Sequence, residues 1–168
     1  MRFVGIAFVL LLAACTSPST EGPPAPEPMG NLAQVMRGIL FPNSNILFDV
    51  QSIDPDNPPP VDGGLGATAT FSGIYAGWQV VENAAIALSE SANLITIPGR
   101  RCENGRLVPV GQADWPVFVE GLKDAADVML VAARARNQEA ASDATNDLAE
   151  ACYVCHEVYR DAEPRCTP

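Results

Sequence analysis

Apolar residues in this chain recur three and four positions apart in four separate blocks, and nowhere do they alternate with polar residues over the length of a strand. That spacing is the period of a helix burying one face, so the expected fold is all-α, and no internal repeat divides it. The first block covers 31–51, with Leu32, Val35, Met36, Ile39, Asn43, Ile46 and Val50 on one face. Pro42 falls inside it. A proline there clashes with the carbonyl four residues back, on Gly38, and is expected to bend the helix or split it. A loop rich in Pro and Gly over 54–66 leads to the second block, 68–95, whose stripe is Phe71, Ile74, Trp78, Val81, Ala85 and Leu88, and which Pro98 and Gly99 stop. The third begins near Ala113, with Asp114 as the cap and Pro116 tolerated in the first turn, and carries Phe118, Leu122, Ala125, Met129 and Ala132. The fourth, 142–161, sets Leu148, Cys152, Cys155, Val158 and Tyr159 on neighbouring faces before Pro164. Four helices with mostly short connections predict an antiparallel up-down-up-down four-helix bundle.

At 168 residues the chain suits one domain with a core, preceded by segments of another kind. Residues 1–14 open with Arg2, run apolar from Phe3 to Leu12 and end in Ala13 and Ala14: a secretory signal, too short to span a membrane as a mature helix. Leu12-Ala13-Ala14-Cys15 resembles the lipobox of bacterial lipoproteins, in which the cysteine receives a diacylglyceryl group and becomes the new N-terminus. Residues 16–30 read TSPSTEGPPAPEPMG, a spacer with almost nothing to bury, which at ~3.1 Å per residue reaches roughly 45 Å. The expected organisation is therefore a signal at 1–14, a lipidated Cys15 and tether at 15–30, and a helical domain at 31–168. Acyl chains contribute about 0.8 kcal/mol per buried CH₂, so such an anchor holds a periplasmic protein at a bacterial membrane. Ten Lys plus Arg stand against twenty Asp plus Glu, and Arg2 leaves with the signal. That acidity argues against nucleic acid and for partner proteins with a basic docking face, whose association weakens with salt.

Cys152-Tyr153-Val154-Cys155-His156 is C-x-x-C-H, the attachment sequence of a c-type haem. Positions i and i+3 of a helix share a face, so two thiols so placed reach the two vinyl groups of one porphyrin, and His156 projects toward the iron. A thioredoxin-like C-x-x-C would open a helix after a strand, and a zinc site would need a second ligand pair; the chain offers neither. A C-x-x-C-H in the last helix of a four-helix bundle resembles cytochrome c prime and its low-spin, methionine-ligated relatives. The resemblance covers 31–161 and rests on 149–160 and on Gln34-Val35-Met36-Arg37; Pro42-Asn43-Ser44-Asn45 and the long Pro/Gly loop depart from it. One covalent haem c and electron carriage without enzymatic activity are expected; Arg37 is a candidate partner for a haem propionate, as an arginine of the first helix often is in that family, the alternative being an exposed surface arginine. A homodimer is a further option.

His156 is the one histidine in the chain, so the sixth iron ligand is Met, Lys, water, a gas or nothing. In an up-down-up-down bundle, His156 near the end of the fourth helix is level with Met36, about five residues into the first, whereas Met129 and Lys123 sit deeper and Met29 lies in the tether. Met36 is the candidate, and it matches the position where low-spin relatives carry methionine. The alternative is core packing over a five-coordinate iron, covered by Leu40 or Phe41, in a protein that binds NO or CO. Phe118, Leu122 and Leu94 are expected to wall the haem. Of five cysteines, Cys102 and Cys166 remain, expected as a disulfide in an oxidising compartment, the alternative being two free thiols. Beyond the haem motif there is no acid, base or nucleophile constellation, and no phosphate loop.

Overall fold

Asn31 opens the first helix: its Oδ1 accepts from the Gln34 N–H at 2.8 Å while its own N–H donates to Gln34 Oε1 at 2.9 Å, a reciprocal cap that satisfies two otherwise orphaned donors. The computed structural model describes residues 26–60, 75–160 and 166. The signal, Cys15 and most of the tether lie outside them, as do Phe71, Ile74 and Pro164. Among the described residues the secondary structure is helical, with one isolated antiparallel bridge between Arg101 and Leu107.

From Asn31 the chain winds without a break through α1 (Leu32–Val35), a π-helical turn (Met36–Leu40), α2 (Phe41–Phe48) and a 3₁₀ turn (Asp49–Gln51). Pro42 neither splits nor ends this run. The Phe41 N–H reaches back five residues to the Met36 carbonyl, and the wider turn ends where the proline begins. A ring that would collide with the Gly38 carbonyl in a regular α-turn is thus accommodated by loosening the turn before it.

The helix α3 (Trp78–Ser91) starts later than the periodicity predicts, because Gly77 at its N-terminus takes φ 61° and closes against the 54–58 loop. A Cβ on Gly77 would stand 2.5 Å from the Pro55 carbonyl oxygen. Trp78 Nε1 donates to Asp56 Oδ1 at 2.9 Å, fixing the same junction. A 3₁₀ stretch (Ala92–Thr96) ends this run. Next comes α4 (Trp115–Arg134), with Pro116 in its first turn. A tight turn through Arg136 leads to α5 (Gln138–Tyr159), which begins ahead of residue 142 because Asn137 Oδ1 caps it from the Ala140 N–H at 3.0 Å.

The helix α4 packs on both α3 and α5, and α2 packs on α3 and α5. Leu47, Leu88, Met129 and Leu148 are fully buried between them. Buried alanines, Ala84 and Ala85 on α3, Ala125, Ala126 and Ala133 on α4, and Ala141 and Ala144 on α5, let the backbones approach closely. No helix among the described residues is long and apolar enough to cross a membrane.

Candidate functional site

The connection between α3 and α4 ties one end of the helices together. Cys102 N–H donates to the Arg106 carbonyl at 2.7 Å within a small loop, and the Leu32 N–H donates to the Arg101 carbonyl at 2.8 Å. Arg100 is buried, with Nε on the Leu94 carbonyl at 3.0 Å and Nη1 on the Gly30 carbonyl at 2.5 Å. Burial lowers its pKa from the ordinary value. A disulfide joins Cys102 to Cys166, with Cα atoms 6.0 Å apart. The Cys166 N–H in turn donates to the Tyr159 carbonyl at 2.8 Å. The start of the first helix and the end of α5 are thereby fastened to one loop.

At this end lies a cavity of about 420 Å³ with mostly apolar walls. Leu32, Met36, Leu40, Ser44 and Phe48 form one wall, each four residues from the next. In a uniform α-helix a strict spacing of four drifts by about 40° per step and turns the stripe away from its neighbour. The π turn at Met36–Leu40 takes up extra residues in that turn and offsets part of this drift. Leu88 and Ile95 close the cavity on the α3 side, and Trp115, Phe118 and Leu122 of α4 close it on another. Cys152, Cys155, His156 and Tyr159 of α5 supply the remaining wall.

Cys152 and Cys155 are half-buried and not disulfide-bonded. Burial raises the pKa of Cys152, partly offset by Arg160; burial, with Cys152 and Asp114 nearby, pushes Cys155 up to about 11, so that thiol is neutral at pH 7. Tyr159 Oη donates to Asp114 Oδ1 at 2.5 Å. Burial first, then the Asp114 carboxylate, raises the Tyr159 pKa well above the ordinary phenol value. Asp114 precedes α4 as the sequence predicts, but makes no side-chain cap to that helix; its carboxylate serves Tyr159 instead. Trp115 stands edge-to-face on Tyr159 with ring centroids 4.7 Å apart.

Of the residues singled out in the sequence, Met36, Arg37, Phe118, Leu122, Cys152, Cys155, His156 and Cys166 line this one cavity. Cys102 is bonded to its rim, and Cys15 lies outside the described residues. Met129 is fully buried in the core away from the cavity wall, and Met29 is exposed. Leu94 does not line the cavity; Ile95 does. The 3₁₀ winding there stacks residues three apart and turns Ala92 and Ile95 inward together. Arg37 reaches the cavity edge with a largely exposed side chain held bidentately by Glu103, at 2.7 and 3.0 Å, which raises its pKa further. Trp115 and Tyr159 were not legible as site residues from composition, although both fall at the level of Met36 and His156.

Among the described residues no group of three or more His, Cys, Asp and Glu side chains is arranged to hold a metal ion alone. The donor set fits a prosthetic group instead. Two free, neutral thiols three residues apart on one helix stand beside a histidine and a thioether, on the walls of a cavity within the ~300–1,000 Å³ range of ligand sites. Comparison of the chain with protein-family models, with curated proteins and with solved structures found no match.

Proposed function

We propose that this chain is a mono-haem c-type cytochrome of the cytochrome c prime kind, an antiparallel four-helix bundle held at a bacterial membrane by a lipid on Cys15, carrying single electrons in the periplasm. One observation carries the reading: both thiols of the C-x-x-C-H motif, its histidine and Met36 wall the same apolar cavity. The bundle reading draws on the packing of α4 on α3 and α5, of α2 on α3 and α5, and on the short turn between α4 and α5.

Cys152 and Cys155 would hold the haem as thioethers, each thiol adding across one vinyl double bond with sulfur on one carbon and hydrogen on the other, a step that needs no oxidant. His156 would ligate the iron, and Met36 is the candidate for a second iron ligand; both line the cavity. Bound, the haem supplies a one-electron change at iron; a thioether ligand raises its potential relative to a nitrogen one. The protein excludes water from the ring with Leu32, Leu40, Phe48, Phe118 and Leu122, and a desolvated iron site reorganises little when its charge changes.

Optical spectra of the oxidised and reduced protein test this directly. Six-coordinate low-spin iron is expected, converting to high-spin on Met36→Ala, with the ferrous variant then binding CO. High-spin iron that binds CO in the parent protein would make Met36 a packing residue and replace electron carriage with the binding of NO or CO.

A further inference from the structure

Among the described residues, Trp115 Nε1 is buried without a hydrogen-bond partner, on a residue that is 2 % exposed and lines the cavity. Such a donor has given up its hydrogen bond to water and gained none in return, which destabilises the fold unless something that fills the cavity meets it. The chain's other tryptophan has its donor satisfied, by Asp56. Asp114, the carboxylate next to Trp115 in sequence, is already engaged by the Tyr159 hydroxyl.

We propose that Trp115 Nε1–H is a built hydrogen-bond donor for a carboxylate of the group that fills the cavity, namely a haem propionate; this rests on the haem reading above. Chemistry selects the acceptor. Once the porphyrin nitrogens hold iron and the vinyl groups have become thioethers, the propionates are the acceptors left on the ring, and the apolar walls offer little else. The placement fits: Trp115 is the first residue of α4, at the end of the molecule where the rim loop, Arg37 and Glu103 meet the cavity. Arg37 is turned to Glu103, so a buried neutral donor, not the rim arginine, is positioned to hold a propionate within the protein. Trp115 is a positioning residue here: it sets the charge state and orientation of the propionate and leaves iron ligation to others.

The test uses the full chain matured in cells that attach haem, with the reduction midpoint followed against pH for the parent, Trp115→Phe and Trp78→Phe. A donor to the carboxylate form lowers the propionate pKa, so in Trp115→Phe the pH at which the midpoint bends is expected to rise by about one unit or more, the size of a charge-assisted hydrogen bond. In Trp78→Phe it stays where it is in the parent. As a second readout that needs no variant, the Trp115 indole N–H of ¹⁵N-tryptophan-labelled parent protein is expected to exchange with solvent at least tenfold more slowly with haem attached than without, while that of Trp78 changes little. A protein that retains its covalent haem but has an unmoved pH profile and equal indole exchange assigns the N–H to the ring face of Tyr159 and overturns this proposal alone. Absence of haem from the mature chain's mass overturns the haem reading, and this proposal with it.

Discussion

The hydroxyl of Tyr159 and the carboxylate of Asp114 are 45 residues apart in sequence and bonded across the cavity end of α4 and α5. The position before Trp115-Pro116 marks Asp114 as a local cap, and nothing in a sequence shows that a distant phenol claims it. Tyr159→Phe is expected to lower stability by about 1–2 kcal/mol at neutral pH, read from the urea midpoint. The pH dependence has a definite sign. The folded pKa lies above the ordinary value of 10.0, so the unfolded chain releases this proton first. The contribution is complete below pH 10 and is lost as pH rises through the folded value, at ~1.4 kcal/mol per unit for this group. Tyr159→Phe should flatten that alkaline limb; an unchanged slope would mean that the bond does not persist in solution. By contrast Cys152, Cys155, His156 and Met36 could be picked from the sequence, because a fixed motif and a level argument need only helix geometry. Trp115 could not, since its importance lies in an unmet donor that exists only once the helices pack.

The helices were legible in kind and less so in extent. Periodicity of three and four locates each run, because burying a stripe is what stabilises it, but ends are decided by single junctions. Asn137 sets the start of α5, and Gly77 sets the start of α3 by meeting Pro55 in a conformation that side chains resist. Gly77→Ala forces a Cβ to 2.5 Å from a backbone oxygen at φ 61°, and a loss of about 1–3 kcal/mol is expected in urea unfolding. An unchanged midpoint would show that the junction relaxes freely. The fate of Pro42 was half-legible. A proline in a helical pattern announces a distortion, and whether it becomes a break or a π turn depends on neighbours: here Leu32, Met36, Leu40, Ser44 and Phe48 all face one cavity through it.

Among the described residues of the whole molecule, the disulfide, the rim loop and buried Arg100 all fasten the end with the cavity. The Cys102 to Cys166 disulfide spans 64 residues, and in the chain-entropy account a loop of that length is worth about 4 kcal/mol. Replacing both cysteines with serine should lower stability by roughly that amount while leaving the cavity wall on α5 in place, measured by denaturant unfolding under identical conditions. A loss below ~1 kcal/mol would mean that the rim loop and buried Arg100 already hold the end without it. The proposed lipid attachment rests on Cys15, outside the described residues: Cys15→Ser is expected to move the protein from the membrane to the soluble fraction, and a variant still retained on membranes would contradict a lipid at that cysteine. Covalent haem at Cys152 and Cys155 underlies the proposed function. Its most direct test is the intact mass of the mature chain, purified from cells competent in haem attachment and measured after denaturation. The expected result is the lipid-modified polypeptide plus one haem, the haem retained through denaturation and absent from Cys152→Ser/Cys155→Ser; a parent chain without the haem increment, with two alkylatable thiols at those positions, would contradict it.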